Sequence, residues 1–309
     1  MKNRLRMALK IMLGLLLAVV LLFAGLTIWN WDTIQRTMLG GYKVYETEPP
    51  AMPAAIARPA ILVFSKTNGF RHEEAIPAAN SLFEQFAKDN GWGYFQTENG
   101  AAFSPEILAR FDAVVFNNVS GDVFTPSQRA ALRAYVGKGG GFLGFHGSGG
   151  DFEYDWRWYA DELIGAQFKG HPLNPQFQKA TVRLEDRGHP ATAHLGETWL
   201  RTDEWYSFAK PPRKPGYHIL ATLDEKTYSP GAMFGAELAM GADHPIAWWH
   251  CVGQGRVLYS ALGHQASAYG EPEYRQMLLG ATNWVLRKAG EGCEGSATKA
   301  GTDSAQAGE

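Results

Sequence analysis

Three histidines stand at positions from which they could share one chemical site. His72, His146 and His264 each come shortly after a short apolar run of the kind that forms a buried β-strand. In an open α/β sheet, ligands bind beyond the carboxyl ends of the parallel strands. We therefore expect these side chains, far apart in the sequence, to meet at one edge of a sheet and to act in catalysis.

A carboxylate is expected to accompany the histidines. Asp203 and Glu204 are adjacent in a segment of alternating apolar and polar residues, and adjacent residues of a strand point to opposite faces. Only one of them can reach the pocket, and we expect Glu204 to be the catalytic partner. The same geometry excludes a glycosidase in which this pair flanks one glycosidic bond.

Five further side chains are predicted to bind or orient a substrate. They are Arg71, His171, Asp203, Tyr206 and Arg256. Each catalytic histidine also has a structural alternative. His72 could cap a helix, His146 could bond carbonyl groups in a tight turn, and His264 could be a hydrogen-bonded core residue.

Two chemistries suit a cluster of histidines with a carboxylate, and the residues leave both open. Neutral imidazoles of His72, His146 and His264 could bind a divalent metal such as Zn²⁺, which would polarise a carbonyl group or activate water. Without a metal, histidine near its ordinary pKa of about 6.5 could move protons beside a sugar carbonyl or hydroxyl group. No HExxH motif or other compact ligand spacing supports the metal.

The elements that must position these residues follow the rhythm of an α/β fold. Strands are predicted at 60–64, 94–97, 113–116 and 142–145, and helices at 73–89, from 104, at 125–136 and at 151–168. This alternation predicts a doubly wound, mainly parallel sheet.

The C-terminal half has a different pattern, with alternation and no long helix until the end. It predicts antiparallel strands added to the sheet at 180–184, 198–208 and 218–223, a hairpin-joined pair at 245–249 and 255–262, and a closing amphipathic helix at 272–288.

The N-terminus predicts a membrane anchor. Four basic residues precede an apolar run that ends at Trp29 and is long enough to span a bilayer, and Trp31 is expected at the interface. We predict an uncleaved signal-anchor at 1–31, with a single pass through a bacterial inner membrane and the soluble domain in the periplasm. A cleaved secretory signal is the alternative and leads to the same compartment.

The rest of the chain divides into three parts. Residues 32–58 contain several prolines and predict a tether, residues 59–289 form the domain, and the Gly- and Ser-containing residues 290–309 predict a disordered tail. Cys251 is interpreted as a small buried apolar residue, and Cys293 lies in the polar tail. Nothing in the sequence supports a disulfide between them.

Charge and composition narrow the class of partner. A formal net charge of −2 in 309 residues leaves no basic excess for a nucleic acid backbone, so nucleic acid is excluded as a partner. The chain is rich in aromatic residues, which suits a pocket that stacks on a sugar, although most aromatic residues are expected to fill the core.

Six short motifs, in this order, resemble the ThuA-like (trehalose-utilisation) domain over about residues 60 to 288. They are Gly69-Phe70-Arg71-His72, 141–146, Lys169-Gly170-His171-Pro172, Asp203-Glu204-Trp205-Tyr206, 245–248 and 255–264. The resemblance implies the flavodoxin-like fold of class I glutamine amidotransferases. It also implies a small-molecule carbohydrate as ligand, in particular a keto-sugar made by a partner sugar dehydrogenase.

The resemblance sharpens the interpretation of His146. Amidotransferases of this fold carry a nucleophilic Cys after the corresponding strand, where this chain has Gly-Phe-His-Gly-Ser at 144–148. No cysteine lies near in sequence, which excludes glutamine hydrolysis through a thioester. The leading hypothesis is an enzyme for hydrolysis, lysis or isomerisation of a sugar or keto-sugar derivative. The alternative is a non-catalytic carbohydrate-binding domain of the cell envelope.

Overall fold

The computed structural model of the chain describes residues 2–151 and 156–293, and it has the predicted α/β architecture. Its α-helices are α1 (Lys2–Trp29), α2 (Trp31–Met38), α3 (Ala75–Asn90), α4 (Pro105–Leu108), α5 (Pro126–Gly137) and α6 (Pro272–Val285). Its strands are β1 (Ala60–Phe64), β2 (Gly93–Thr97), β3 (Ala113–Asn117), β4 (Gly141–Phe145), β5 (Phe168–Gly170), β6 (Phe177–Leu184), β7 (Thr198–Glu204), β8 (Ser207–Phe208), β9 (Tyr217–Leu223), β10 (Ala232–Met233), β11 (Ala236–Glu237), β12 (Pro245–Val252) and β13 (Gly255–Ser260).

A nine-stranded sheet forms the centre of the domain, in the order β2-β1-β3-β4-β13-β12-β9-β6-β7. The first five strands are parallel to their neighbours within this set. Their order is that of flavodoxin-like folds, with β13 in the place of the fifth strand. The remaining strands are antiparallel. The predicted parallel sheet with antiparallel additions is therefore confirmed.

The register of the parallel strands brings distant residues to one edge. β1, β3 and β4 are buried along their whole length, as expected for apolar strands that are covered on both faces. Phe145, the last residue of β4, pairs with Ser260, the last residue of β13. The chain after each strand therefore emerges at the same carboxyl edge, where His146 and His264 lie.

Local signals set the ends of the helices around this sheet. Thr125 and Gln128 form the predicted capping box at the start of α5, and Pro126 occupies the first turn. The helix α3 ends at Gly91, which adopts a left-handed conformation with φ of 68°.

The predicted helix over 151–168 is shorter than expected, since helical turns cover only residues 157–164 of its described part. Residues 152–155 lie outside the described residues, Tyr159–Ile164 form a short π-helix, and β5 follows at Phe168. The left-handed Gly165, with φ of 85°, ends the helical turns because a non-glycine residue would be strained there. The strand β5 then leads the chain to His171.

Residues 32–58 do not behave as a free tether. The helix α2 follows α1 after Asn30, and the chain beyond it lies against the domain. The Tyr45 hydroxyl donates to Asp122 at 2.7 Å, and Gln128 Nε2 donates to the carbonyl oxygen of Glu46 at 2.8 Å. The prolines prevent a helix over 48–53, as predicted, but they do not prevent an extended segment from packing on the domain.

The two cysteines form a disulfide, which corrects the interpretation of Cys251 as a small apolar residue. Cys251, on β12, is bonded to Cys293, 42 residues later. The start of the predicted disordered tail is also corrected, because Trp284 Nε1 donates to the carbonyl oxygen of Glu291 at 3.0 Å. Residues 294–309, the rest of that predicted tail, lie outside the described residues.

The helix α1 is long and apolar enough to cross a membrane. The candidate span is Asn3–Trp29, none of which is buried against the rest of the chain. A signal sequence near an N-terminus has the same length and composition, so the N-terminal helix is either a membrane span or a signal sequence.

Candidate functional site

His146 is presented by a strained turn at the end of β4. Its backbone has φ of 43°, a left-handed conformation that is uncommon for a residue with a side chain. Nδ1 lies 2.9 Å from the carbonyl oxygen of Ala261, which can only accept. Nδ1 therefore carries a proton, and Nε2 faces the site. The next residue must be glycine, because a Cβ atom at position 147 would lie 2.9 Å from the His72 ring.

The structure brings the three predicted histidines together. The His72 ring centroid lies 4.7 Å from those of His146 and His264, and the latter two are 5.0 Å apart. His72 is buried, and its Nδ1 has no hydrogen-bond partner among the described residues. A ring nitrogen is likewise buried without a partner in three other described histidines, His189, His194 and His250. This feature alone therefore does not mark a ligand site.

Glu204, at the end of β7, joins the histidines on one side of the cluster. Its Oε2 lies 2.9 Å from His264 Nδ1 and 3.4 Å from His146 Nε2. Its Oε1 lies 3.1 Å from His171 Nδ1 and accepts a hydrogen bond from Gln176 at 2.5 Å. The expected carboxylate therefore reaches the site, and a fourth histidine lies beside it. We call His72, His146, Glu204 and His264 the histidine cluster.

Burial and mutual contact decide the charges in the histidine cluster. Burial by itself raises the pKa of Glu204, but its hydrogen bonds with His146 and His264 outweigh burial and hold that pKa well below its usual range. Burial lowers the pKa of His72 far below its usual value, and the neighbouring histidines lower it further. Burial also lowers the pKa of His171, against the opposing effect of Glu204. At neutral pH these residues supply a carboxylate and neutral imidazoles.

The cluster fits a small divalent metal. One ligand atom from each of its four residues lies within 4.8 Å of all the others. Metal–ligand bonds of about 2.0–2.1 Å in a tetrahedron place ligand atoms about 3.3 Å apart. His146 Nε2 and His264 Nδ1 are separated by 3.0 Å, and each lies 2.9–3.4 Å from Glu204 Oε2. Neutral imidazole and carboxylate are also the protonation states that a metal requires.

Asp203 braces the cluster from behind and does not face a pocket. Its Oδ1 accepts the backbone N–H groups of Glu204 at 2.9 Å and His264 at 3.2 Å, and its Oδ2 accepts that of Gly263 at 2.9 Å. The side chain is 1% exposed. The prediction that Asp203 binds substrate is therefore corrected, because its carboxylate is occupied by the backbone of two cluster residues.

Arg201 contacts the residue behind the histidine cluster, and the sequence analysis missed it. It is buried on β7, with one nitrogen 3.0 Å from Asp203 Oδ2, and its guanidinium lies over the rings of Trp199 and Tyr274 at 4.6 and 4.8 Å. Arg201 and Asp203 are two residues apart on one strand and so face the same side. That spacing of opposite charges in an alternating strand is the signal that could have identified the pair.

The other predicted substrate residues differ in their placement. The Tyr206 ring stacks on His146 at 4.4 Å, so it lines the site. Arg71 directly precedes His72, and its guanidinium forms a two-bond pair with Glu98. Its role in substrate binding stays a prediction without a contact to support it.

Arg256 does not reach the site. It lies on β13 four residues before Ser260, roughly 13 Å from the carboxyl edge at 3.3 Å per residue. Its guanidinium donates to the carbonyl oxygens of Trp284 at 2.9 Å and Gly292 at 3.0 Å. The prediction that Arg256 orients a substrate is thus corrected, because its side chain holds the C-terminal segment in place.

The histidine cluster opens to the surface on one side. His171 and His264 are each 16% exposed, whereas His146 and Glu204 are buried. The Phe177 ring packs against His264 at 5.0 Å beside this opening. A ligand that reaches the cluster would therefore meet His171, His264 and an aromatic ring first.

Comparison with known proteins gives the relatives of this fold. The sequence model of the ThuA family, described as trehalose utilisation, matches residues 60–285. A ThuA-like protein from Bacteroides uniformis is 23% identical, with a TM-score of 0.65 over 79% of this chain and 98% of that one. Another, from Parabacteroides merdae, is 16% identical, with a TM-score of 0.56 over 75% of this chain and 90% of that one. No curated protein matches the sequence.

Proposed function

Because the chain belongs to the ThuA family, whose description is trehalose utilisation, we propose that it is an enzyme acting on a sugar or keto-sugar derivative with the help of a divalent metal. The metal would be held by the histidine cluster. The observation that carries the proposal is the convergence of three imidazoles and a carboxylate, one ligand atom of each lying within 4.8 Å of all the others.

The chemistry suits a carbonyl-bearing sugar. A metal at this position would polarise the carbonyl oxygen of a keto-sugar and so acidify the adjacent C–H bond. His171 is partly exposed, and its pKa is lowered by burial, so it is neutral and can accept that proton. The electron pair moves toward the carbonyl group. The proton returns to the neighbouring carbon in an isomerisation, or to the departing glycosidic oxygen in a lysis.

The same residues also suit hydrolysis, in which the base would take a proton from water. The partly exposed Phe177 ring beside His264 offers an aromatic surface to a sugar, whereas the Tyr206 ring is buried against His146. If the substrate is a keto-sugar, a sugar dehydrogenase must supply it, and such an enzyme would be the functional partner.

We place the domain in the periplasm of a bacterium, with α1 as an anchor in the inner membrane. A candidate span at the N-terminus supports the anchor. The disulfide between Cys251 and Cys293 supports an oxidising compartment, because disulfides are rare in the reducing cytosol.

Metal analysis of the purified full chain tests the proposal. We expect about one equivalent of a divalent metal such as Zn²⁺, lost in His146→Ala and in His72→Ala because each removes a ligand. His218→Ala is the matched control, since His218 is exposed and stacks on Trp249. The loaded protein should convert 3-keto-glucosides, and chelation should stop it.

Two results would contradict this proposal. The metal centre would be ruled out if the protein took up no divalent metal and His146→Ala bound ligand as the parent does. Binding of sugars without turnover, at any metal loading, would replace the enzyme with the non-catalytic carbohydrate-binding domain.

A further inference from the structure

The juxtamembrane segment, which we define as residues 31–46, is bonded to the loop that delivers His72. The Arg36 guanidinium donates to the carbonyl oxygens of Thr67 at 2.8 Å and Gly69 at 3.2 Å. These carbonyl groups belong to the loop that leaves the carboxyl end of β1. The helix α2 is therefore bonded to the edge of the sheet that holds the histidine cluster.

Further contacts connect the juxtamembrane segment to the loop before His72. The N–H group of Tyr42 donates to the carbonyl oxygen of Asn68 at 2.7 Å, and Asn68 Nδ2 donates to that of Val44 at 3.0 Å. Lys66, whose side chain is 6% exposed, forms an ion pair with Glu46 at 2.5 Å. Gly41 makes a close approach, since a Cβ atom there would lie 2.5 Å from the Asn68 oxygen.

These contacts fix the distance between the domain and α1. Arg36 is five residues into α2, and α2 begins two residues after Trp29. With helical and extended rises per residue, the Cα atom of Arg36 lies no more than roughly 16 Å from that of Trp29. Only a short, folded link therefore separates the end of the candidate span from the His72 loop.

Large apolar side chains are exposed along this face. Met38 and Leu39, at the end of α2, are 76% and 54% exposed. Phe70, two residues before His72, is 44% exposed while the edge of its ring contacts the His72 ring at 4.9 Å. An apolar surface close to the end of a membrane helix is matched by the lipid interface.

We propose that the carboxyl edge of the sheet faces the lipid bilayer that holds α1, with Met38, Leu39 and Phe70 in contact with lipid. The partner of this surface is the bilayer itself. The proposal rests on α1 remaining as an anchor, and it does not depend on the metal or on the reaction. The bonded juxtamembrane segment sets the orientation, which a flexible tether could not do.

Fluorescence of the full chain in phosphatidylcholine–phosphatidylglycerol vesicles tests this orientation. Both natural cysteines are in the disulfide, so Phe70→Cys provides one free thiol for an environment-sensitive NBD label. Nitroxide lipids, labelled near the head group, should quench it at least about twofold more than a label at Leu200→Cys. Leu200 is 57% exposed on β7 and is the matched apolar control.

A second pair of variants distinguishes a fixed orientation from nonspecific binding of the domain to the vesicle surface. Arg36→Ala removes the bonds to the loop and should lower the quenching at position 70 toward that of the control. Arg157→Ala should leave it unchanged, since Arg157 is 85% exposed and pairs with Asp161. If Phe70→Cys does not fold, a label at Met38→Cys carries the same expectation.

Equal quenching at positions 70 and 200 would overturn the proposal, and so would a mature chain that begins after α1. Metal content measured on the same vesicles distinguishes this failure from failure of the proposed function. If the chain binds its metal but shows no preferential quenching at position 70, the proposed metal centre stands and the proposed orientation is rejected.

Discussion

Two groups of histidines, in different regions of the described part of the chain, differ in what their rings contact. In the histidine cluster, the rings of His72, His146 and His264 face each other and a carboxylate. In a second set, near the disulfide, the rings face aromatic side chains. His250 stacks on Tyr217 at 4.1 Å, and His189 lies 5.0 Å from the Trp284 ring.

Burial lowers the pKa of histidine in both regions, so a lowered pKa does not by itself identify a ligand-binding site. Burial holds the pKa of His189 and His250 to about 4, and it lowers that of His72 as well. The difference lies in what the ring nitrogens meet. His250 Nε2 donates to a backbone carbonyl at 2.8 Å, whereas nitrogens of the cluster converge on one point. Convergence, rather than burial, is the sign of a ligand site.

Removing the disulfide should destabilise the fold around His189 and His250 and leave metal binding by the histidine cluster unchanged. The bond closes a loop of 42 residues, and replacing both partners with serine should lower the free energy of unfolding by about 4 kcal/mol. The expected loss can be measured by urea unfolding of the parent and the Cys251→Ser, Cys293→Ser variant. Metal affinity of the folded variant should match that of the parent, and a large loss of metal would show that the regions are coupled.

Arg201→Leu should weaken metal binding without removing a ligand. Its loss leaves the buried Asp203 carboxylate without its cationic partner, and Asp203 holds the backbone of Glu204 and His264. Outer-shell changes of this kind cost about 10–100-fold in metal affinity. Competition with a chelator measures that affinity, and the visible spectrum of the Co²⁺-loaded protein reports the ligand geometry.

The matched control for this change is Arg183→Leu, which removes an arginine that is 58% exposed on the adjacent strand and pairs with Asp224. Equal metal affinities in the two variants would mean that Asp203 needs no buried partner. Partial recovery in Arg201→Lys would support a role in positioning, because the lysine restores the charge.

The smallest effect is expected from His189→Gln, measured as a change in the pH dependence of stability. The unfolded chain binds a proton near the ordinary pKa of 6.5, and the folded chain binds it only near 4. The unfolded state therefore gains protons first, and the parent loses stability as pH falls from about 6.5 to about 4. The variant should lose on the order of 1–2 kcal/mol less over this range.

Urea unfolding at pH 7 and pH 4.5 provides this measurement, with the exposed His218→Gln as the control. An unchanged pH dependence in His189→Gln would mean that the folded state accommodates the charged ring. The comparison between the two regions would then rest on geometry alone.

Strand positions were predictable because they depend on local sequence. The continuous apolar runs of β1, β3 and β4 were found within about one residue, and their shared edge predicted that His72, His146 and His264 would meet. Alternation in β7 predicted that only one of Asp203 and Glu204 would reach the pocket. These inferences needed only periodicity and the rule that sites lie at carboxyl ends.

Apart from the helix predicted over 151–168, the errors concern contacts between residues far apart in the chain. Asp203 meets Gly263 across 60 residues, Arg256 meets Gly292 across 36, and the disulfide crosses 42. No local pattern fixes such partners. The juxtamembrane segment was missed for the same reason, since its contacts with the His72 loop cannot be derived from its proline content.

The left-handed backbone at His146 has a consequence for how the molecule can change. A non-glycine residue in this conformation costs on the order of 1 kcal/mol, and a glycine there would relieve it. Loss of the buried imidazole would, however, leave a cavity and an unpaired carbonyl group at Ala261, which cost more than the strain. The buried contacts of His146 therefore hold the backbone at φ of 43°, and stabilised variants of this protein will need their gains elsewhere.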